Sequence, residues 1–336
     1  MALSLTNRLL AFAVPLFLFI SAVLSASSAL RNGVKSCKVR QFFAVAYPYL
    51  LWSLFYWVFR FELGEGQSLT YAEHWLFLRQ IPTFWANIDG RVHDLLWGKA
   101  FFHLYFLIVL LELLIVTPIL VHIAKIKSIA SSLIVGIFLQ FAFLLLQHFF
   151  FKFFYPASTI FWYVDILMPG MALGRAFFKN QGIVLDARTT FLATLGVILG
   201  GLLYLIEEYH EARNQPVHNY RSNGGLAVYS TCASLLLYQL CAVWNLRSFS
   251  KYPALQNINE VTLGIFIWLG RNSLAIYLIH PGILTLLSTK VLISHLQRLG
   301  LSGWPAFLIT LGGSMIFAYA IDRLKLSRIL LGRPGN

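Results

Sequence analysis

Nine stretches of about twenty residues, each apolar enough to cross a bilayer, dominate the chain and leave few folds open to it. They run near 9–30, 41–61, 101–124, 128–151, 158–178, 188–206, 225–246, 261–280 and 303–322. A backbone inside lipid must satisfy its own hydrogen bonds, so spans of this length read as helices. The expected fold class is all-α, a polytopic transmembrane bundle of about nine spans forming one domain over residues 1–336. Composition agrees: 58% of the residues are hydrophobic and only 12% charged, far from the balance of a soluble domain.

The distribution of charge gives an orientation. Arg31, Lys35, Lys38 and Arg40 crowd the connection after the first span with no acid among them, which keeps that connection cytoplasmic under the positive-inside bias. Alternation then places fifteen of the 26 basic residues inside, although the outer connections are longer and hold eight of the 13 acids. The expectation is a multi-pass protein of a bacterial inner or plasma membrane, N-terminus outside and C-terminus cytoplasmic. The net charge of +13 follows from those inner connections, and no basic tract is dense enough for nucleic acid. In the long outer connection, 62–100, Trp75, Trp85 and Trp97 lie among apolar residues, as in helices resting at the headgroup layer or covering the outer face.

Polar groups inside spans mark where chemistry could occur. In Gly270 to His280, Ser273, Tyr277 and His280 share one helical stripe, whereas Arg271 falls on another face. A charge at mid-bilayer costs roughly 2.5 to 3.5 kcal/mol or more, so Arg271 implies a polar interior or a hydrated cavity. His103, His148 and His280 stand at the outer ends of their spans, and imidazoles there suit proton transfer near neutral pH; water-bonded interfacial histidines would look the same. Glu112 and Asp165 are the acids within spans, with Arg271 one possible partner. Histidine and cysteine spacing suggests no metal site, and Cys37, Cys232 and Cys241 suggest no disulfide framework. The basic segment 31–40 could hold donor phosphates, or could only anchor the chain. Phosphate-binding loops, nucleotide fingerprints and the hydrolase nucleophile elbow are absent from the sequence.

Several landmarks in order resemble membrane-bound acyltransferase family 3. Val14-Pro15-Leu16-Phe17 with Ile20-Ser21-Ala22 is similar to that family's PLFF..SGF helix, with Ala22 in place of the usual glycine. Arg40 followed by Pro48-Tyr49-Leu50-Leu51-Trp52 resembles its basic turn and PYLLW segment, and His103-Leu104-Tyr105-Phe106-Leu107 its HLWFL helix start. Leu269 to His280 resembles its LGxNSLxIYLxH helix. The resemblance implies an O-acyltransferase carrying no bound cofactor and using acyl-CoA, most simply acetyl-CoA, as donor substrate. The implied acceptor is a hydroxyl of a cell-surface or exported saccharide, or of a lipid-linked glycan, so that the acyl group must cross a path through the bundle. It directs catalytic expectations to His280, His103, Arg271, Ser273 and Tyr277, and donor binding to Arg40, Lys38, Ser21 and Tyr49. Family members have about ten spans, the first bearing a basic residue eleven positions before an essential histidine. No histidine here has such a neighbour, so the chain is expected to begin on the second span, through a truncated coding start or as a degenerate or rewired member, and the sequence leaves open whether it is active as it stands. A polar-lined bundle could also serve a transporter or flippase of polysaccharide intermediates, or a structural partner of an envelope synthase.

Overall fold

In the computed structural model the chain is described over residues 12–32, 38–63, 88–124, 128–150, 155–180, 185–212, 219–246, 253–287 and 304–332. Each expected span is met by a helix. They are α1 (Ala13–Asn32), α2 (Lys38–Leu63), α4 (Tyr105–Ala124), α5 (Ile129–Phe149), α6 (Val164–Asn180), α7 (Ala187–Ala212), α8 (Asn219–Leu246), α9 (Pro253–Leu287) and α10 (Trp304–Arg323), with short α3 (Ile88–Leu96) and α11 (Ser327–Leu331) between and after them. Among the described residues six of these, α1, α5 and α7 to α10, are long and apolar enough to cross a membrane, and Tyr105–Leu120 of α4 is apolar but shorter. The protein is therefore a multi-pass helical membrane protein. Helices α2 and α6 are less apolar because Lys38, Arg40, Arg60 and Glu62 load the ends of one, and Asp165, Arg175 and Lys179 the other.

Caps explain several boundaries. The Ser128 side chain accepts a hydrogen bond from the Ser131 amide at 3.1 Å, and Asp186 Oδ1 does the same for Thr189 at 3.2 Å before α7, satisfying first-turn donors that have no partner within the helix. Gly332, at φ 63°, ends α11 in the left-handed conformation that glycine adopts without strain. The fifth span starts later than its hydropathy indicates. Residues 156–163 form two 3₁₀ turns ahead of Val164, and the Glu112 carboxylate accepts the Ile160 amide at 2.6 Å, holding the second turn in place.

The chain separates into two compact units that interleave along the sequence. One comprises Met1–Phe42 and Val109–Ser248, the other Phe43–Ile108 and Phe249–Asn336, so the single domain read from the sequence has no linear boundary at which it divides. In the first unit α1 packs on α6, α5 on α6, and α7 on α8. Apolar burial does not separate one helix partner from another in lipid, so close backbone approach decides these pairings. A Cβ on Gly174 would lie 2.2 Å from the Val23 carbonyl oxygen, and one on Gly200 2.7 Å from the Tyr229 amide. Gly170 and Gly174, like Gly196 and Gly200, stand four residues apart and form the small stripes against which α1 and α8 rest. In the second unit α9 packs on α10, α11 lies against α10, and the Trp52 indole of α2 donates to the Leu330 carbonyl at 3.0 Å.

Candidate active site

In the second unit a proline sets the geometry. Pro281 lies inside α9; it has no amide hydrogen, so the carbonyl four residues back, that of Tyr277, receives no ladder bond from it. Gly282 follows, and a Cβ there would meet the Tyr56 hydroxyl at 3.2 Å. This loosened turn is where α2 and the segment before α4 reach α9: Tyr56 donates from α2 to the Leu278 carbonyl, and Tyr277 donates to the carbonyl of His103.

His103 is the centre of the arrangement. It is 5% exposed, and neither ring nitrogen makes a hydrogen bond of normal geometry to another described residue. Its ring stands edge-on to Tyr56 at 5.0 Å, to Tyr277 at 5.2 Å and to Phe101 at 5.6 Å, with the His280 ring 6.1 Å away. Phe101 stacks on Tyr56 at 4.3 Å. The backbone of His103 is thus pinned by Tyr277 and its ring is fixed by aromatic edges, with the Leu278 carbonyl as the polar neighbour of the ring. Buried polar atoms almost always find partners; the Leu278 carbonyl can serve one ring nitrogen, which leaves the other for a bound group. His280 Nδ1 is paired with the Ile276 carbonyl of its own helix at 3.2 Å, which turns the opposite edge of that ring outward from the helix. Two imidazoles of this kind can accept a proton from a hydroxyl and return it to a leaving group.

The other expected site residues fall out differently. Ser273 donates to the Gly270 carbonyl at 2.9 Å, so its hydroxyl is spent within α9 although it shares the stripe of Tyr277 and His280. Arg271 is exposed and leaves α9 on the side opposite His280, half a turn round; the polar interior expected for it is occupied by its neighbour Asn272, buried and bonded to the Trp268 carbonyl at 3.1 Å. Tyr49 is buried and donates to the Leu95 carbonyl, tying α2 to α3. Ser21 is half-buried in the middle of α1. Lys38 and Arg40 open α2, so the basic segment continues directly into a helix; their side chains, the rest of the 33–37 segment, and Trp75 and Trp85 lie outside the described residues. His148 closes α5 in the first unit, exposed, with its ring edge-on to Phe149 at 4.8 Å. Glu112 and Asp165, for which Arg271 was one possible partner, instead accept from the Ile160 amide and the Thr231 hydroxyl. Outside the spans, partial burial pulls the Lys99 ammonium pKa below its usual value, opposed by the charge of Asp94.

Sequence reasoning does not single out Tyr56, Phe101 or Pro281 as parts of the site. A signal is present all the same: Tyr49, Trp52 and Tyr56 follow one another at helical spacing on α2, and Pro281 directly follows the histidine.

A family model described as an acyltransferase domain matches residues 2–323, nearly the whole chain. The chain belongs to this acyltransferase family. No curated protein and no solved structure matches it. Membership makes the protein a membrane acyltransferase in general terms, and the histidine cluster of the second unit falls within the matched region.

Proposed function

We propose that this acyltransferase moves an acyl group, most simply acetyl from acetyl-CoA, onto a hydroxyl of a saccharide presented at the outer face of a cell membrane. The observation that carries the reading is His103, buried, held by aromatic edges and set beside the His280 ring. In the proposed step His103 takes the proton of the acceptor hydroxyl as its oxygen bonds to the thioester carbonyl carbon. The carbon–sulfur bond breaks, and the CoA thiolate leaves with the proton returned by the imidazolium, giving a saccharide ester and free CoA. General-base assistance of this kind is worth roughly 10² to 10⁴-fold. His280, within ring distance of His103, shares the proton or orients the acceptor. Tyr277 is a positioning residue, because its hydroxyl holds the His103 backbone rather than a reacting atom. For the donor, Lys38 and Arg40 at the start of α2 supply cationic partners for CoA phosphates. Ser21 and Tyr49 are proposed as further donor-binding residues.

The test is an incubation of the purified protein in lipid with acetyl-labelled acetyl-CoA and saccharide acceptors. The expected result is alkali-labile label in the saccharide with one thiol released for each ester formed. Movement of saccharide across the membrane without CoA consumption would replace this reading with a transporter.

A further inference from the structure

The first unit contains a second polar site, unrelated to the histidine cluster. A cavity of about 40 Å³ lies among α1, α5, α6, α8 and the 3₁₀ turn before α6, lined by Gln140, Trp162, Tyr163, Asp165 and Ser230 together with apolar side chains. Asp165, 4% exposed, is on the first turn of α6 and takes one hydrogen bond from the Thr231 hydroxyl at 2.6 Å. Gln140 is 2% exposed and Ser230 1%, and the Gln140 Oε1 and Ser230 Oγ atoms are both buried without a hydrogen-bond partner. Most hydroxyls inside these helices resolve the same problem by donating to the carbonyl four residues back, as Ser234 does to Ser230 and Ser314 to Thr310. Ser230 does not.

Four oxygen-bearing side chains, those of Gln140, Tyr163, Asp165 and Ser230, therefore border one small cavity; one is a carboxylate, the Tyr163 hydroxyl donates to the Ala157 carbonyl at 3.0 Å, and no Lys, Arg or His lines the space. The Asp165 carboxylate has the Thr231 hydroxyl and the first-turn amides of Asp165 and Ile166 as partners but no cation, and an uncompensated charge is expensive in a low-dielectric interior. A proton on Asp165 would remove the charge but could complete only one of the two orphaned oxygens. A divalent ion would overcharge the site. From this geometry we infer that the cavity binds one hard monovalent cation of the alkali class, with Asp165 as its anionic ligand and Gln140 Oε1 and Ser230 Oγ as neutral oxygen ligands. One positive charge against one carboxylate, among neutral oxygens, leaves the buried site without net charge, which lowers the cost of burying it. The space also admits a water beside the ion.

The ion would join α5, α6 and α8 and so stabilise the folded unit by mass action. The experiment is thermal unfolding of the full chain in detergent, titrated with sodium, potassium or lithium chloride against choline chloride at constant ionic strength. The expected result is a saturable rise in Tm with one alkali ion over choline, abolished in Asp165→Asn. Asparagine keeps an oxygen to accept from Thr231, so that variant retains the fold. Should it fail to fold, Gln140→Leu and Ser230→Ala provide the second reading, each raising the half-saturating ion concentration about tenfold. Asp322→Asn, an exposed acid of the second unit, keeps the full response. Equal Tm in alkali and choline salts between pH 6 and 9, or an alkali response that survives in Asp165→Asn, would overturn the inference; the former result would assign the cavity to a protonated carboxylate with water.

Discussion

Tyr56 shows how much of the site depends on single hydroxyls. Its ring is stacked on Phe101 and its hydroxyl serves the Leu278 carbonyl at the turn loosened by Pro281. Tyr56→Phe keeps the stack and removes the hydroxyl that donates to the Leu278 carbonyl, at a cost of about 0.5 to 1.5 kcal/mol. The expected outcome is a lower Tm with an unchanged helical circular dichroism spectrum at low temperature. A Tm equal to that of the parent would mean that Leu278 finds another donor. Histidines are conspicuous within apolar runs, which is why His103 and His280 stand out in the sequence itself. Tyr56 looks there like one of many belt aromatics, since its role rests on a partner more than two hundred residues away. Arg271 draws attention by its charge, yet helical phase puts it opposite His280, and Ser273 shares the right stripe but bonds to its own helix.

At the scale of the helix, α9 runs 35 residues through Pro281, whereas the hydrophobic pattern ends a span at His280. Proline normally costs a helix interior about 3 kcal/mol; here the opened turn is what brings the Tyr277 and Leu278 region against α2 and His103. Pro281→Ala closes the ladder, and the expected result is a higher Tm together with reduced acyl transfer, opposite in sign to ordinary damage. Full activity in that variant would show that the loosened turn serves no catalytic geometry. The pairing of α1 with α6 depends on small residues rather than on apolar burial. Gly174→Val forces a side chain onto the Val23 backbone, for which overpacking costs of about 1 to 3 kcal/mol are a minimum. Protease resistance at 25 °C should fall in Gly174→Val but not in Gly264→Val, whose added Cβ meets nothing within 4 Å.

For the whole molecule, the long helices of the described residues were legible at the expected places because an apolar run of span length has almost no other solution in lipid. The division into two interleaved units was not, since it arises from contacts between segments far apart in the chain, and hydropathy carries no information about which helix meets which. The loss of apolar character in α2 and α6 was legible in their charges, but not its consequence that Asp165 would find Thr231 across the bundle. Orientation is predicted by charge alone: fifteen of the 26 basic residues fall in the connections assigned to the inside. A fluorescent protein fused after Asn336 should therefore be bright and a periplasmic phosphatase at the same place inactive, with the reverse pattern contradicting the assignment.

The central claim, that a rigidly held His103 carries acyl transfer in the second unit, is most directly tested by comparing thiol release from acetyl-CoA, with acceptor present, between the parent protein and His103→Ala at matched folded fraction. The account predicts a fall of roughly 10² to 10⁴-fold. Equal release by the two proteins would contradict it.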